Sequence, residues 1–153
     1  MGSTIFWTVL SGVLTFVVGQ ILLKMFVEPV LETRKTIGQI AHMLCNRGQF
    51  IHNPGVLDLE RTKAVSEEMR ALAAALYAHL YAVPAYPLVA PVFRLPGTER
   101  VVEAATALAG LANSLYDASN PRSHEWNAKR VEAISKKLGL YLHEDQRWPH
   151  DLR

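Results

Sequence analysis

The hydrophobic pattern of this chain changes character at residue 24. Residues 4–23 read TIFWTVLSGVLTFVVGQILL, apolar around most of a helix and without a charged side chain. Beyond them, apolar residues recur at helical spacing and charges fill the gaps. A helix rises about 1.5 Å per residue, so some 20 residues cross the roughly 30 Å of hydrocarbon in a bilayer. The core over residues 5–23 has that length. Trp7 and Lys24 stand near its ends, where an amphipathic ring and a snorkelling amine suit the two interfaces.

A cleaved signal peptide is the rival reading, and it requires a basic start and a small-residue cleavage site. No Lys or Arg precedes the run, and no small-x-small site follows it. Phe6 also breaks the N-myristoylation pattern. Residues 1–28 are therefore expected to be an uncleaved transmembrane anchor. Lys24, Arg34, Lys35 and Arg47 all follow the span. The positive-inside rule then puts the N-terminus outside and the remainder in the cytoplasm.

Wound at 3.6 residues per turn, the span gathers its small and hydroxyl residues on one side. Thr4, Thr8, Ser11 and Thr15 fall in one row, and Gly12 and Gly19 lie beside it. Phe6, Val9, Leu10, Val13, Phe16 and Val17 take the opposite side, with Gln20 well round towards it. Helices in lipid associate by close backbone approach and hydroxyl hydrogen bonds, because hydrophobicity gives no pull there. The row reads first as a homo-oligomer interface. Its rivals are chance, since Ser, Thr and Gly are ordinary in spans, and a wet pore lining in a larger oligomer.

Residues 29–142 are expected to form a cytoplasmic bundle of about four helices, and residues 143–153 a polar tail. Glu28-Pro29 predicts a kink or a fresh helix start. Val30, Ile37, Ile40, Ala41 and Leu44 then share a face up to about residue 45. Residues 58–82 give a second helix burying Val65, Met69, Leu72, Ala73, Leu76 and Leu80. Four prolines within residues 84–96 predict an extended or turn-like segment there. Its Tyr86, Leu88, Val89, Val92 and Phe93 are the candidate surface for a cytosolic protein partner. Residues 71–93 carry no Asp, Glu, Lys or Arg, so a second span or a membrane-touching loop is the competing expectation.

A third, nearly all-apolar helix opens at Thr98, the expected N-cap, and is too short to span, so it should be central in the bundle. Ala105, Ala109, Gly110 and Ala112 would let neighbours approach closely. Residues 117–121 read as a turn. A last helix starts with Ser123 as cap and turns Trp126, Val131, Ile134 and Leu138 inward, with Gly139 at its C′ position.

Composition adds little to this. Half of the 153 residues are hydrophobic and a fifth charged, a balance better suited to a chain with one stretch in lipid. A net charge of +2 is too slight to call for nucleic acid. The lone Cys45 excludes an internal disulfide.

Candidate chemistry is sparse. His42 and Cys45 would supply two zinc ligands where three or four are needed, even with His52 as a possible third. His124-Glu125 reads as a first helical turn rather than an acid–base pair. No dinucleotide fingerprint, Walker loop, H-E-x-x-H or G-x-S-x-G occurs. Lys129, Arg130, Lys136 and Lys137 are interrupted by Glu125 and Glu132, as on a solvated face.

The expectation is thus an all-α, non-enzymatic membrane protein without metal or cofactor. It is single-pass and self-associated through the span, with its bundle assembling the spans, to form a pore or to alter permeability. A small bacterial inner-membrane effector would share this architecture by analogy alone. The alternative is a membrane-tethered adaptor that binds a cytosolic protein through its Pro-rich segment.

Overall fold

In the computed structural model, described for residues 2–53, 58–116 and 122–141, the uncharged N-terminal run forms helix α1, Gly2–Leu22. Pro29 does not break the chain after it. Leu23–Val27 form a turn of π-helix, and α2 follows as Glu28–Asn46, so one helix continues for 45 residues. Pro29 has no N–H to offer the carbonyl four residues back. The wider turn, in which the Glu28 N–H reaches the Leu23 carbonyl, absorbs that gap. The expected kink is therefore a π-bulge.

Helix α2 buries Val30, Thr33, Thr36, Ile40, Met43 and Leu44. Thr33 and Thr36 hold fully inward positions, whereas Ile37 and Ala41 are only half-buried. The Thr33 hydroxyl donates to the Pro29 carbonyl at 2.8 Å, which lets a polar side chain sit inside. A short α3, Gly48–His52, leads to the long α4, Leu59–Ala82. Asp58 caps α4 by accepting from the Arg61 N–H at 2.8 Å.

Two contacts fix how α2 and α4 lie. Arg47 pairs with Glu68 at 3.4 Å, and Thr36 meets His79 at 2.8 Å. Moving from one contact to the other goes 11 residues back along α2 and 11 forward along α4, so the two helices run antiparallel. Val65, Met69, Ala73 and Leu76 are buried as the periodicity predicts, and Leu72 and Leu80 are partly buried against the same core.

The proline-rich segment differs from expectation, because it contains a helix. Helix α5, Tyr86–Val92, is bent by 101° from α4. Pro87 sits in its first turn, where an N–H would have no helical partner, so the ring costs nothing there. Only Pro91 removes an interior bond. Left-handed Ala85 (φ 49°) and Arg94 (φ 52°) turn the chain at either end. The Leu95 N–H closes the C-terminal turn on the Ala90 carbonyl at 2.8 Å.

Helix α6, Thr98–Ser114, is the central element and packs against both α4 and α7, Ser123–Leu138. Ala104, Ala105 and Ala112 are buried on it. At Ala112 the α4 backbone comes close enough for the buried Ser66 hydroxyl to donate to the Ala112 carbonyl at 3.1 Å. Thr98 and Ser123 are first helical residues rather than caps; Gly97 and Arg122 precede them without a side-chain cap bond. Gly139 ends α7 at φ 70°, and the Leu140 N–H reaches the Ser135 carbonyl at 2.8 Å, a Schellman closure.

Trp126 does not face inward: it is 56% exposed. Its neighbour Asn127 is buried instead and donates through Nδ2 to the Ile51 carbonyl at 2.9 Å, tying α3 to α7. Among the described residues there is no strand, and no buried side-chain polar atom lacks a partner. The expected turn at 117–121 and the tail at 143–153 lie outside those residues.

Candidate functional site

The most unusual feature is an uncovered helix. No residue of α1 is buried, and among the described residues no bundle helix packs along it. From Ile5 to Val27, 14 large apolar side chains keep 36–66% of their surface open. Roughly half of a full burial at about 1.5–3 kcal/mol each leaves on the order of 10 kcal/mol or more unrealised in water. That rivals the whole net stability of a typical domain, about 5–15 kcal/mol. The helix is long and apolar enough to cross a membrane, and it is not the core helix of this bundle.

Its small-residue face is equally open. Thr4, Thr8, Ser11, Gly12, Thr15 and Gly19 are all exposed. The hydroxyls are turned onto their own backbone. Thr8 donates to the Thr4 carbonyl at 2.9 Å, Ser11 to Thr8 at 2.9 Å and Thr15 to Ser11 at 2.8 Å. These bonds satisfy the donors without a neighbour and leave the oxygen lone pairs facing outward. A Cβ built on Gly12 or Gly19 would meet nothing within 4 Å. The face is thus flat, weakly polar and sterically free.

The π-bulge sets where this face points. One extra residue in the helix rotates everything before it by about 100° relative to a plain α-helix. A regular helix would align the Thr/Gly face with the bundle side of α2. With the bulge, the face is turned away from that side.

The second expected surface is only partly open. Tyr86 is 3% exposed, and its hydroxyl donates to the Pro96 carbonyl at 2.8 Å. Burial pushes its phenol above the ordinary range. Val89 and Phe93 are half-buried against the core. Leu88 and Val92 remain, each 76% exposed, with Tyr81 at 89% at the end of α4. No protein-family model, curated protein or solved structure matches this chain.

Chemistry elsewhere is thin. His42 and Cys45 are both exposed on α2, and among the described residues no three His, Cys, Asp or Glu groups gather around a possible metal position. A shallow groove of about 600 Å³ between α2 and α4 mixes Lys35, His42 and Glu68 with the open flank of Gly38. On the basic face of α7, Lys129 pairs with Glu125 at 2.8 Å, and that hydrogen bond holds the Glu125 carboxyl below its usual range. Lys137 pairs with Glu103 of α6, and the Arg130 guanidinium lies over Gly110.

Signals that sequence reasoning missed are polar. Arg34 reaches from α2 to donate to the Phe93 carbonyl at 2.6 Å, fixing the end of α5 against α2. Thr36 and His79 meet across α2 and α4. Burial lowers the His79 pKa, and the Glu32 carboxylate opposes that shift.

Proposed function

We propose that this chain is a non-enzymatic, single-span membrane protein that self-associates through the Thr4–Thr8–Ser11–Thr15 face with Gly12 and Gly19. Its bundle lies in the cytoplasm and its N-terminus outside, as the flanking charges favour. By architecture alone, the membrane is read as a bacterial inner membrane. The supporting observation is the uncovered α1, whose apolar surface has no protein cover and whose one small face is open to a second helix.

In this reading the bundle gathers the spans, and the assembled spans form a pore or alter permeability when a signal reaches the bundle. Hydroxyls bonded to their own helix carry a reduced desolvation penalty in lipid and still offer lone pairs to water or to a neighbouring helix. Reconstituted protein is expected to pass ions across liposomes, and Thr8→Leu, Ser11→Leu or Thr15→Leu to change that flux. Tight liposomes around a confirmed oligomer would sink the pore.

A second reading, a tethered adaptor for a cytosolic protein, rests on the open side of α5. With Tyr86 buried, its surface reduces to Leu88 and Val92 flanked by half-buried Val89 and Phe93.

A further inference from the structure

The exposed apolar edge of α5 lies at one defined level of the molecule. The antiparallel register set by Arg47–Glu68 and Thr36–His79 brings the end of α4 level with residues 32–33 of α2. Arg34 holds the other end of α5 through the Phe93 carbonyl. α5 therefore crosses the bundle about level with residues 32–34 of α2. That is eight to ten residues beyond Lys24, or about 12–15 Å along the helix axis. Bent by 101° from α4, which runs antiparallel to α2, it lies close to perpendicular to the 45-residue helix.

A helix so placed runs roughly along the plane of a bilayer that the N-terminal helix crosses near its normal. A helix with its side chains has a radius of about 5–6 Å, so the outer side chains of α5 reach within about 6–10 Å of the Lys24 level. Headgroup layers are about 5–7 Å deep on each side of the hydrocarbon. α5 also has two sides suited to this position. Tyr86 and Ala90, four apart, are buried against the bundle, while Leu88 and Val92, four apart, are open with Pro87 and Pro91 beside them. Tyr81 and Arg94 are exposed near its ends, an aromatic and a cation of the kinds favoured at the interface.

We infer that α5 is an interfacial foot, resting Leu88 and Val92 on the outer edge of the headgroup layer of the same bilayer that α1 crosses. The inference rests on the reading of α1 as a span. It assigns the open apolar edge to lipid rather than to a protein. A foot beside the span fixes the bundle's tilt and rotation under the membrane, a second attachment that a single helix lacks.

The test uses the full chain in phosphatidylcholine–phosphatidylglycerol vesicles. In a Cys45→Ser background, an environment-sensitive fluorophore is placed by Leu88→Cys, Val92→Cys, Phe16→Cys or Glu67→Cys, one at a time. All four native side chains are exposed, so none of the changes opens the core. Labels at 88 and 92 are expected to lose most of their emission to headgroup-level nitroxide lipids. The label at 16 should respond to acyl-chain nitroxides, and the label at 67 to neither.

Labels at 88 and 92 that behave like the one at 67, while 16 is quenched, would overturn the foot and leave the span standing. An unquenched label at 16 would overturn both. Shielding of 88 and 92 from a water-soluble quencher, without quenching by nitroxide lipids, would mean that protein covers α5 and would also overturn the proposal.

Discussion

The two halves of the 45-residue helix make opposite use of the same backbone. In α2 a stripe of Val30, Thr33, Thr36, Ile40, Met43 and Leu44 is buried while its other sides carry Glu32, Arg34, Lys35 and Gln39. α1 has no buried residue and no charge. The difference is where each helix finds its apolar environment: α2 finds it in the bundle along one stripe, whereas α1, apolar all round, has no such cover among the described residues. The π-turn at Leu23–Val27 joins the two without a break and sets them in rotation.

The halves should then fail independently. The largest effect is expected from Val13→Arg with Val17→Arg, on the bulky side of α1, at about 3 kcal/mol for each charge placed mid-span. The doubly substituted chain should leave the carbonate-resistant membrane fraction while its bundle keeps the wild-type melting temperature. A variant that stays integrated would contradict the span. The converse change is Leu108→Ala, at a fully buried position of α6. Its lost burial and cavity cost roughly 2–5 kcal/mol, and the melting transition should fall by about 10 °C or more. Membrane extraction should be unchanged, and joint loss of both properties would show that the halves are coupled.

A smaller effect should come from His79, at the junction of α2 and α4. Its folded-state pKa is lowered by burial below the unfolded value of about 6.5. As pH falls through that range, the unfolded chain takes up more protons than the folded one, so stability declines. It is fully present above about pH 6.5 and is lost as pH drops through the folded value. Melting curves of wild type and His79→Gln between pH 7.5 and 5 should differ in slope. Parallel curves would remove His79 from the account.

Much of the fold was legible because apolar runs and charges carry it. The apolar N-terminal helix, the helix over residues 59–82 and the central apolar α6 all follow from where Leu, Val and Ala recur. Two features were not. The sequence pattern turns Trp126 inward, yet Asn127 is the buried residue and donates to the Ile51 carbonyl. A carbonyl 76 residues away leaves no periodic trace in sequence. The prolines of residues 84–96 hid α5, because Pro87 falls in the one turn where proline is harmless. The candidate surfaces were visible only as lists of residues. The sequence does not reveal that Tyr86 turns inward while Leu88 turns out, nor that the hydroxyls of α1 bond to their own helix.

Self-association through α1 is the central claim, and the oligomeric state in mild detergent tests it most directly. Wild type should run as one defined oligomer. The Gly12→Ile, Gly19→Ile variant should run as a monomer, since a Cβ at either position meets nothing within 4 Å among the described residues and the added bulk falls on the face offered to another copy. A strictly monomeric wild type, or an oligomer that both substitutions leave intact, would contradict it.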